Sequence, residues 1–373
     1  MYAFDTTRPP YLVLNIIAQI VFGLLAMTIC LPSLPSWSET FSESQSMVQL
    51  TFSGFVVTYG GFQLLFGPLS DRLGRKKVLI AGLVLALVGT WMAATASQLM
   101  ALILARLLQG AGCAASMVVS RAMVQDHFVG PQRTQVMAYI GMAMGLCPPT
   151  ATVLGGHLHV WLGWQANFYF IAGLAVILMF TAWKVLPEST NSTVESPQKS
   201  HGLNWGAAYL PLLKDHKYLL YVFVLSLTTA TFYIFLSGAP LVLNSFGVSP
   251  DHMGFYIMCI PIFYIFGNYF TSLWVKHGNE HRLLFIGQSL TLFGLTLMLA
   301  LAYADVRHPL AMSLPLMILG VGHGMLMPTA LAGTIGIVPG LAGSAAALAG
   351  LLQQMMGAWG GYLVGLIGHQ SAM

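Results

Sequence analysis

Eleven long apolar runs, separated by short polar connections, follow one another along this chain at about 11–31, 46–66, 78–96, 99–121, 135–157, 165–184, 217–242, 252–275, 282–303, 309–333 and 342–367. A hydrocarbon core about 30 Å thick takes about 20 apolar residues to cross as a helix. Only helices and closed barrels satisfy every backbone N–H and C=O in lipid. Runs of this length therefore read as transmembrane helices, and the fold class as an all-α polytopic membrane protein. The crossings consume nearly all of the 373 residues, which excludes a large soluble catalytic or nucleic-acid-binding domain. Only 7% of the residues are charged, against about 25% in soluble domains.

The few charges are sorted by side. With the N-terminus in the cytoplasm, the runs place Arg8, Arg72, Arg75, Lys76, Lys77, Arg121, Arg133, Lys184, Lys199, Lys214, Lys217, Lys276 and Arg282 on the cytoplasmic side. Those are thirteen of the fifteen basic residues, with Arg307 opposite and Arg106 inside a helix. Such a bias in short loops orients the chain with its N-terminus in the cytoplasm, so the net charge of +4 is an orientation signal rather than a nucleic-acid footprint. The cysteines Cys30, Cys113, Cys147 and Cys259 lie within apolar runs and read as small core residues. The first run is long enough to remain as a helix rather than be cleaved as a signal peptide.

The stretch LPESTNSTVESPQKSHGLN at 186–204, rich in Ser, Thr, Pro and charge, reads as a flexible linker. It divides the chain into a six-helix bundle at 1–185, a cytoplasmic linker at 186–216 whose partly apolar end suggests an interfacial helix, and a second bundle at 217–373. That second bundle shows five runs, which implies either eleven crossings or a chain that stops before a twelfth. Small-xxx-small pairs (Gly141 with Gly145, Gly320 with Gly324, Gly357 with Gly361) read as close helix packing, or as contacts that let two bundles rock.

Three strings carry specific information. GPLSDRLGRKK at 67–77 joins the second and third runs, with Gly67 and Gly74 permitting a tight turn. ARLLQGAGCAA at 105–115 lies in the fourth run, and GLCPPTATVLGG at 145–156 in the fifth. Together with LPES at 186–189 and SGAPLVL at 237–243, they resemble the major facilitator superfamily, and within it the bicyclomycin-resistance-type (Bcr/CflA) drug:proton antiporters. The resemblance implies the major facilitator fold, with two helical bundles of six and five or six transmembrane helices around a central cavity. It implies efflux of a small organic solute by alternating access, driven by inward proton flow, from a bacterial inner membrane. It also implies a conformational gate of Gly67, Asp71, Arg72, Gly74, Arg75 and Asp126, and helix packing through Gly145, Pro148, Pro149, Gly155 and Gly156. Capping of helix ends by Asp71 and Asp126 is the alternative use of those carboxylates.

Arg106 stands near the middle of a membrane helix, where a cation costs several kcal/mol unless it meets water, a partner or a ligand. It is expected on the cavity wall, holding an anionic or carbonyl-rich part of a substrate; the alternative is a hydrogen-bond hub to main-chain carbonyls and Gln109. Proton coupling in the resembled branch uses a carboxylate in the first helix. Here the string is MTICLP at 27–32, with Thr28 in the acid position, and all eleven acidic residues fall in loops or at helix ends. A hydroxyl does not titrate near neutrality, whereas an imidazole does. His323, at mid-depth in the tenth run, is therefore the candidate proton carrier, with a substrate or packing contact as its alternative. Asn15, Gln19, Thr28, Gln63, Tyr139, Tyr233, Tyr264, Asn268, Gln353 and Gln354 complete a cavity suited to a neutral or zwitterionic, partly aromatic solute.

His157 and His159 lack a third ligand nearby in sequence, so no metal is expected, nor any cofactor. The expected partners are a small-molecule substrate (a drug or a secreted metabolite such as a siderophore), protons and the lipid bilayer. A transporter-like receptor or scaffold and an uncoupled facilitator stand as the alternatives. An enzyme fares worst, for want of a nucleophile–base pair or paired carboxylates.

Overall fold

The computed structural model describes residues 10–128, 130–187, 205–274, 280–336 and 342–366, and all regular structure among them is helical. The chain runs α1 (Pro10–Thr28), a 3₁₀ turn (Leu31–Ser33), α2 (Leu34–Phe41), α3 (Gln45–Leu73), α4 (Arg75–Ala94), α5 (Leu99–His127), α6 (Gly130–Leu162) and α7 (Gln165–Val185). It continues with α8 (Trp205–Lys214), α9 (His216–Ser245), α10 (Pro250–Ile257), α11 (Cys259–Trp274), α12 (Glu280–Tyr303), α13 (Pro309–Gly336) and α14 (Ala342–Leu366). Nine spans among the described residues combine the length and hydropathy to cross a bilayer. Two more helices, α6 and α14, have the length at 33 and 25 residues. This is an integral membrane protein.

Two passes are broken where the apolar pattern predicts single helices, and proline explains both. Pro32 lacks the N–H that would bond the carbonyl of Thr28, so α1 stops there and the pass continues through the 3₁₀ turn and α2 as far as Phe41. Pro261 cannot donate to Ile257, and the helix divides there into α10 and α11. The loop expected over 67–77 shrinks to one residue. Gly74, at φ 100° and ψ 140°, alone separates α3 from α4; a side chain there would be strained, so glycine makes the reversal.

Within the first half of the chain α5 packs against α1, α3 and α4, and α7 against α4; within the second, α13 packs against α9, α11 and α12, and α14 against α9. Two seams join the halves, α3 on α14 and α6 on α10 and α11. Short α8 rests on α9 and α14 through Leu212, which is fully buried with Tyr218 and Ala345. The seams are tightest toward one end. A Cβ on Gly156 would lie 2.1 Å from the carbonyl oxygen of Pro250, and one on Gly254 would lie 2.6 Å from the amide of Val153. Gln49 Nε2 donates to the carbonyl of Ser237 at 3.3 Å, and Phe52 meets Tyr233 edge to face at 5.8 Å. Beside this seal Trp37 is fully buried, stacked on Phe168 and edge-on to Trp164.

Candidate functional site: a cavity between the halves

A cavity of about 390 Å³ lies on the Gly74 side of this seal. Its position follows from the order of residues along the seam helices. On α3, Phe52 belongs to the seal, and Tyr59 and Gln63, nearer Gly74, line the cavity. On α6, Gly156 is sealed, while Gly141, Gly145 and Pro148 line. On α14, Gly361 packs on Phe52, while Gly350, Gln353 and Gln354 line. The lining residues recur at three- and four-residue spacing, as in Met117 and Arg121 on α5, Thr229, Phe232 and Tyr233 on α9, and His323 and Met327 on α13. Each helix thus presents one stripe to the cavity.

The wall is largely apolar, with a few polar groups turned toward it. Tyr233 donates its hydroxyl to Gln354 Oε1 at 2.9 Å. Tyr59 is 1% exposed and its hydroxyl has no hydrogen-bond partner; His323 is 3% exposed and its Nε2 has none either. Arg121 is exposed to the open side of the cavity, and its Nη2 lies 3.6 Å from the thioether sulfur of Met144. A guanidinium carries five donors and sulfur is a weak acceptor, so this contact engages little of the cation's hydrogen-bonding capacity. Among the described residues no carboxylate lines the wall or pairs with Arg121.

Of the residues singled out from sequence, the structure brings Tyr233, Tyr264, His323, Gln63, Gln353 and Gln354 to this wall, and with them Gly145 and Pro148. Others are elsewhere, and Arg106 is the main correction. It is fully buried behind the cavity. Its Nη1 donates to the carbonyl of Ala26 at 2.9 Å and to Gln109 Oε1, its Nη2 to Met27 at 3.3 Å, and its Nε to Thr51 at 3.3 Å. Phe55 covers it, with the guanidinium carbon 4.3 Å from the ring centre. The reason is α1's early end, which leaves its last carbonyls without helical donors, and a cation is the favoured partner for a helix C-terminus. Gln109 is likewise buried, bonded through Nε2 to Thr90 Oγ1 at 2.8 Å. Arg106 with Gln109 ties α1, α3, α4 and α5 together: the hub alternative.

Thr28 is buried too, its hydroxyl donating to the carbonyl of Leu24 at 2.8 Å. Asn15 and Gln19 belong to the contact of α1 with α7, where Gln19 Nε2 donates to the carbonyl of Leu178 at 3.0 Å. Asn268 bonds back to Tyr264 within α11 at 3.0 Å, and neither it nor Tyr139 lines the cavity. Arg121, Tyr59 and the methionines Met27, Met117, Met144 and Met327 are cavity residues that sequence reasoning missed. The signal available for them was spacing: Tyr59 with Gln63, and Met117 with Arg121, stand four apart on one helical face.

At the cavity's open end Arg75 Nε meets Asp126 Oδ2 at 3.0 Å, and Arg75 Nη1 donates to Ser70 Oγ at 2.6 Å. This ties the start of α4 to the ends of α3 and α5. The side chains of Asp71 and Arg72 lie outside the described residues. At the sealed end a Cβ on Gly155 would lie 1.8 Å from the carbonyl oxygen of Ile29. His159 Nδ1 meets Ser33 Oγ at 2.9 Å, whereas His157 Nδ1 meets the carbonyl of Val153 at 2.9 Å, so the two imidazoles are engaged separately. No three His, Cys, Asp or Glu side chains among the described residues form a metal-binding group.

Comparison with known proteins bears on family and fold. Residues 16–361 match the sequence profile described as Major Facilitator Superfamily. The chain is 29% identical over 355 residues to the "Chloramphenicol resistance protein" of Pseudomonas aeruginosa, covering 93% of this chain and 81% of that one. It is 28% identical over 353 residues to "Multidrug resistance protein D" of Escherichia coli (strain K12), covering 92% and 86%. In three dimensions it is similar to the crystal structure of a bacterial homolog to the human lysosomal transporter Spinster. The TM-score is 0.80 at 14% identity, over 96% of this chain and 83% of that one; at that identity the likeness speaks for the fold.

Proposed function

Since the chain belongs to the major facilitator superfamily and is a membrane transporter rather than an enzyme, we propose that it exports a small organic molecule across the bacterial inner membrane by alternating access. The observation that carries this reading is the cavity between the two halves, sealed at one end by α3–α14 and α6–α10 contacts and reached from the other. With the basic loops in the cytoplasm, the Gly74 end is cytoplasmic and the conformation faces inward. A solute enters the cavity, and rocking of residues 1–185 against 217–373, joined through 186–216, opens the sealed end. The Arg75–Asp126 pair, with Asp71 and Arg72 nearby in sequence, acts as the gate that holds the cytoplasmic end when it closes. Names of relatives at 28–29% identity make chloramphenicol the first solute to try; a secreted metabolite such as a siderophore is the second class.

Coupling to protons falls to His323 in this reading. Among the described residues it is the imidazole on the cavity wall, and its Nε2 is free of partners. Arg121, Tyr59, Tyr233 and Tyr264 face the same space. The absence of a carboxylate from the described wall favours a second reading, an uncoupled facilitator. Proteoliposomes distinguish the two. Wild type is expected to move chloramphenicol faster when a pH gradient is imposed, and His323→Gln to move it at a rate indifferent to the gradient. Unchanged gradient dependence in His323→Gln removes that residue from coupling, and binding without flux in wild type replaces export by a receptor role.

A further inference from the structure

We infer that the cavity prefers organic anions to cations, with Arg121 as the counter-charge, so that a carboxylate, phosphate or sulfonate on an apolar or aromatic body strengthens a solute's hold on the site beyond that of a neutral one. This rests on the export reading above and names its substrate class. Arg121 is the charged side chain among the described cavity residues, and its described contact is to a thioether. A planar guanidinium with open donors matches an oxyanion through two parallel hydrogen bonds.

On the same wall, Tyr59 offers a hydroxyl without a partner, and His323 an unpartnered Nε2, both on residues more than nine-tenths buried. Phe232 and four methionines supply the adaptable apolar remainder. A cation placed in a cleft with low-dielectric walls focuses its field along that cleft. It raises the local concentration of anions and lowers that of cations. An inside-negative membrane potential then favours release of the anion to the outside, by about 50-fold per charge for each 100 mV at equilibrium.

The test uses two rigid, membrane-impermeant probes of matched size, 2-naphthalenesulfonate and trimethyl-2-naphthylammonium, with neutral chloramphenicol beside them. Efflux from proteoliposomes holding the full chain is expected to be at least about 10-fold faster for the sulfonate than for the ammonium, the scale of one charge-assisted hydrogen bond. Arg121→Gln is expected to remove that preference, Arg121→Lys to keep part of it, and Arg121→Glu to turn it toward the ammonium. Because a variant can misfold, inhibition of wild-type chloramphenicol flux by each probe is measured as well, and the sulfonate is expected to compete at lower concentration. Chloramphenicol flux with equal handling of both probes, or an unchanged sulfonate preference in folded Arg121→Gln, overturns the inference and leaves the export reading standing. Movement of neither chloramphenicol nor either probe overturns the export reading itself.

Discussion

Two arginines on one helix have opposite surroundings. Arg106 and Arg121 are both in α5, about 22 Å apart along its axis and about 60° apart around it, so neither helical face nor composition separates them. Arg106 lies at the level where α1 ends and the halves close, and its donors are taken by carbonyls of Ala26, Met27 and Thr51 and by Gln109. Arg121 lies toward the open side, where the neighbouring helices leave a cavity, and meets only a thioether among its described contacts. Depth relative to the seal decides which cation is a structural tie and which faces a solute.

The contrast breaks most readily at Arg106. Arg106→Ala leaves three carbonyls and Gln109 without their buried cation, and is expected to cost about 3–5 kcal/mol. The readout is a lowered melting temperature in detergent and loss of monodisperse protein. Arg106→Lys should recover only part, because an ammonium cannot fork across three carbonyls. A folded, fully stable Arg106→Ala that fails only in transport would return this residue to the solute site.

The seal itself is probed next. Gly156→Leu drives a side chain into the backbone of Pro250, an overpacking worth about 1–3 kcal/mol that should shift the protein away from the conformation sealed at that end. With the four cysteines replaced, maleimide labelling of Ser237→Cys is expected to rise several-fold in Gly156→Leu. Labelling that stays at the parental level would mean that the α6–α10 seam does not hold the closed end.

Smaller effects are expected within the cavity. Tyr233→Phe removes the hydrogen bond to Gln354, about 1 kcal/mol, and should raise the KM for chloramphenicol a few-fold with little change in melting temperature. Arg121→Gln is expected to change stability by no more than about 0.5 kcal/mol, as for an exposed residue outside any network, while altering solute preference. A large fall in melting temperature would make Arg121 a second structural tie and erase the contrast with Arg106.

Much of this was legible before any coordinates. Apolar runs of spanning length located the passes, because lipid leaves the backbone no alternative to a helix. Tyr233, Tyr264, His323, Gln63, Gln353 and Gln354 stood out as polar groups inside those runs, and they do line the cavity. The breaks at Pro32 and Pro261 were readable from the missing N–H, yet a hydropathy pattern passes over them because both sides remain apolar. Arg106 was misjudged for a different reason. The cost of a buried cation requires that it be satisfied, but it does not say by what, and the carbonyls that do so belong to helices distant in the chain.

Residue order alone settled that this protein crosses the membrane repeatedly and that its acidic residues fall between or at the ends of the apolar runs, since each depends on what a helix must hide from hydrocarbon. Only the packing of the two halves decided where the water-facing space lies. Whether a polar side chain is spent on a neighbouring backbone or left free for a solute depends on how closely the helices approach at its level, and that spacing is set by contacts between segments far apart in the chain.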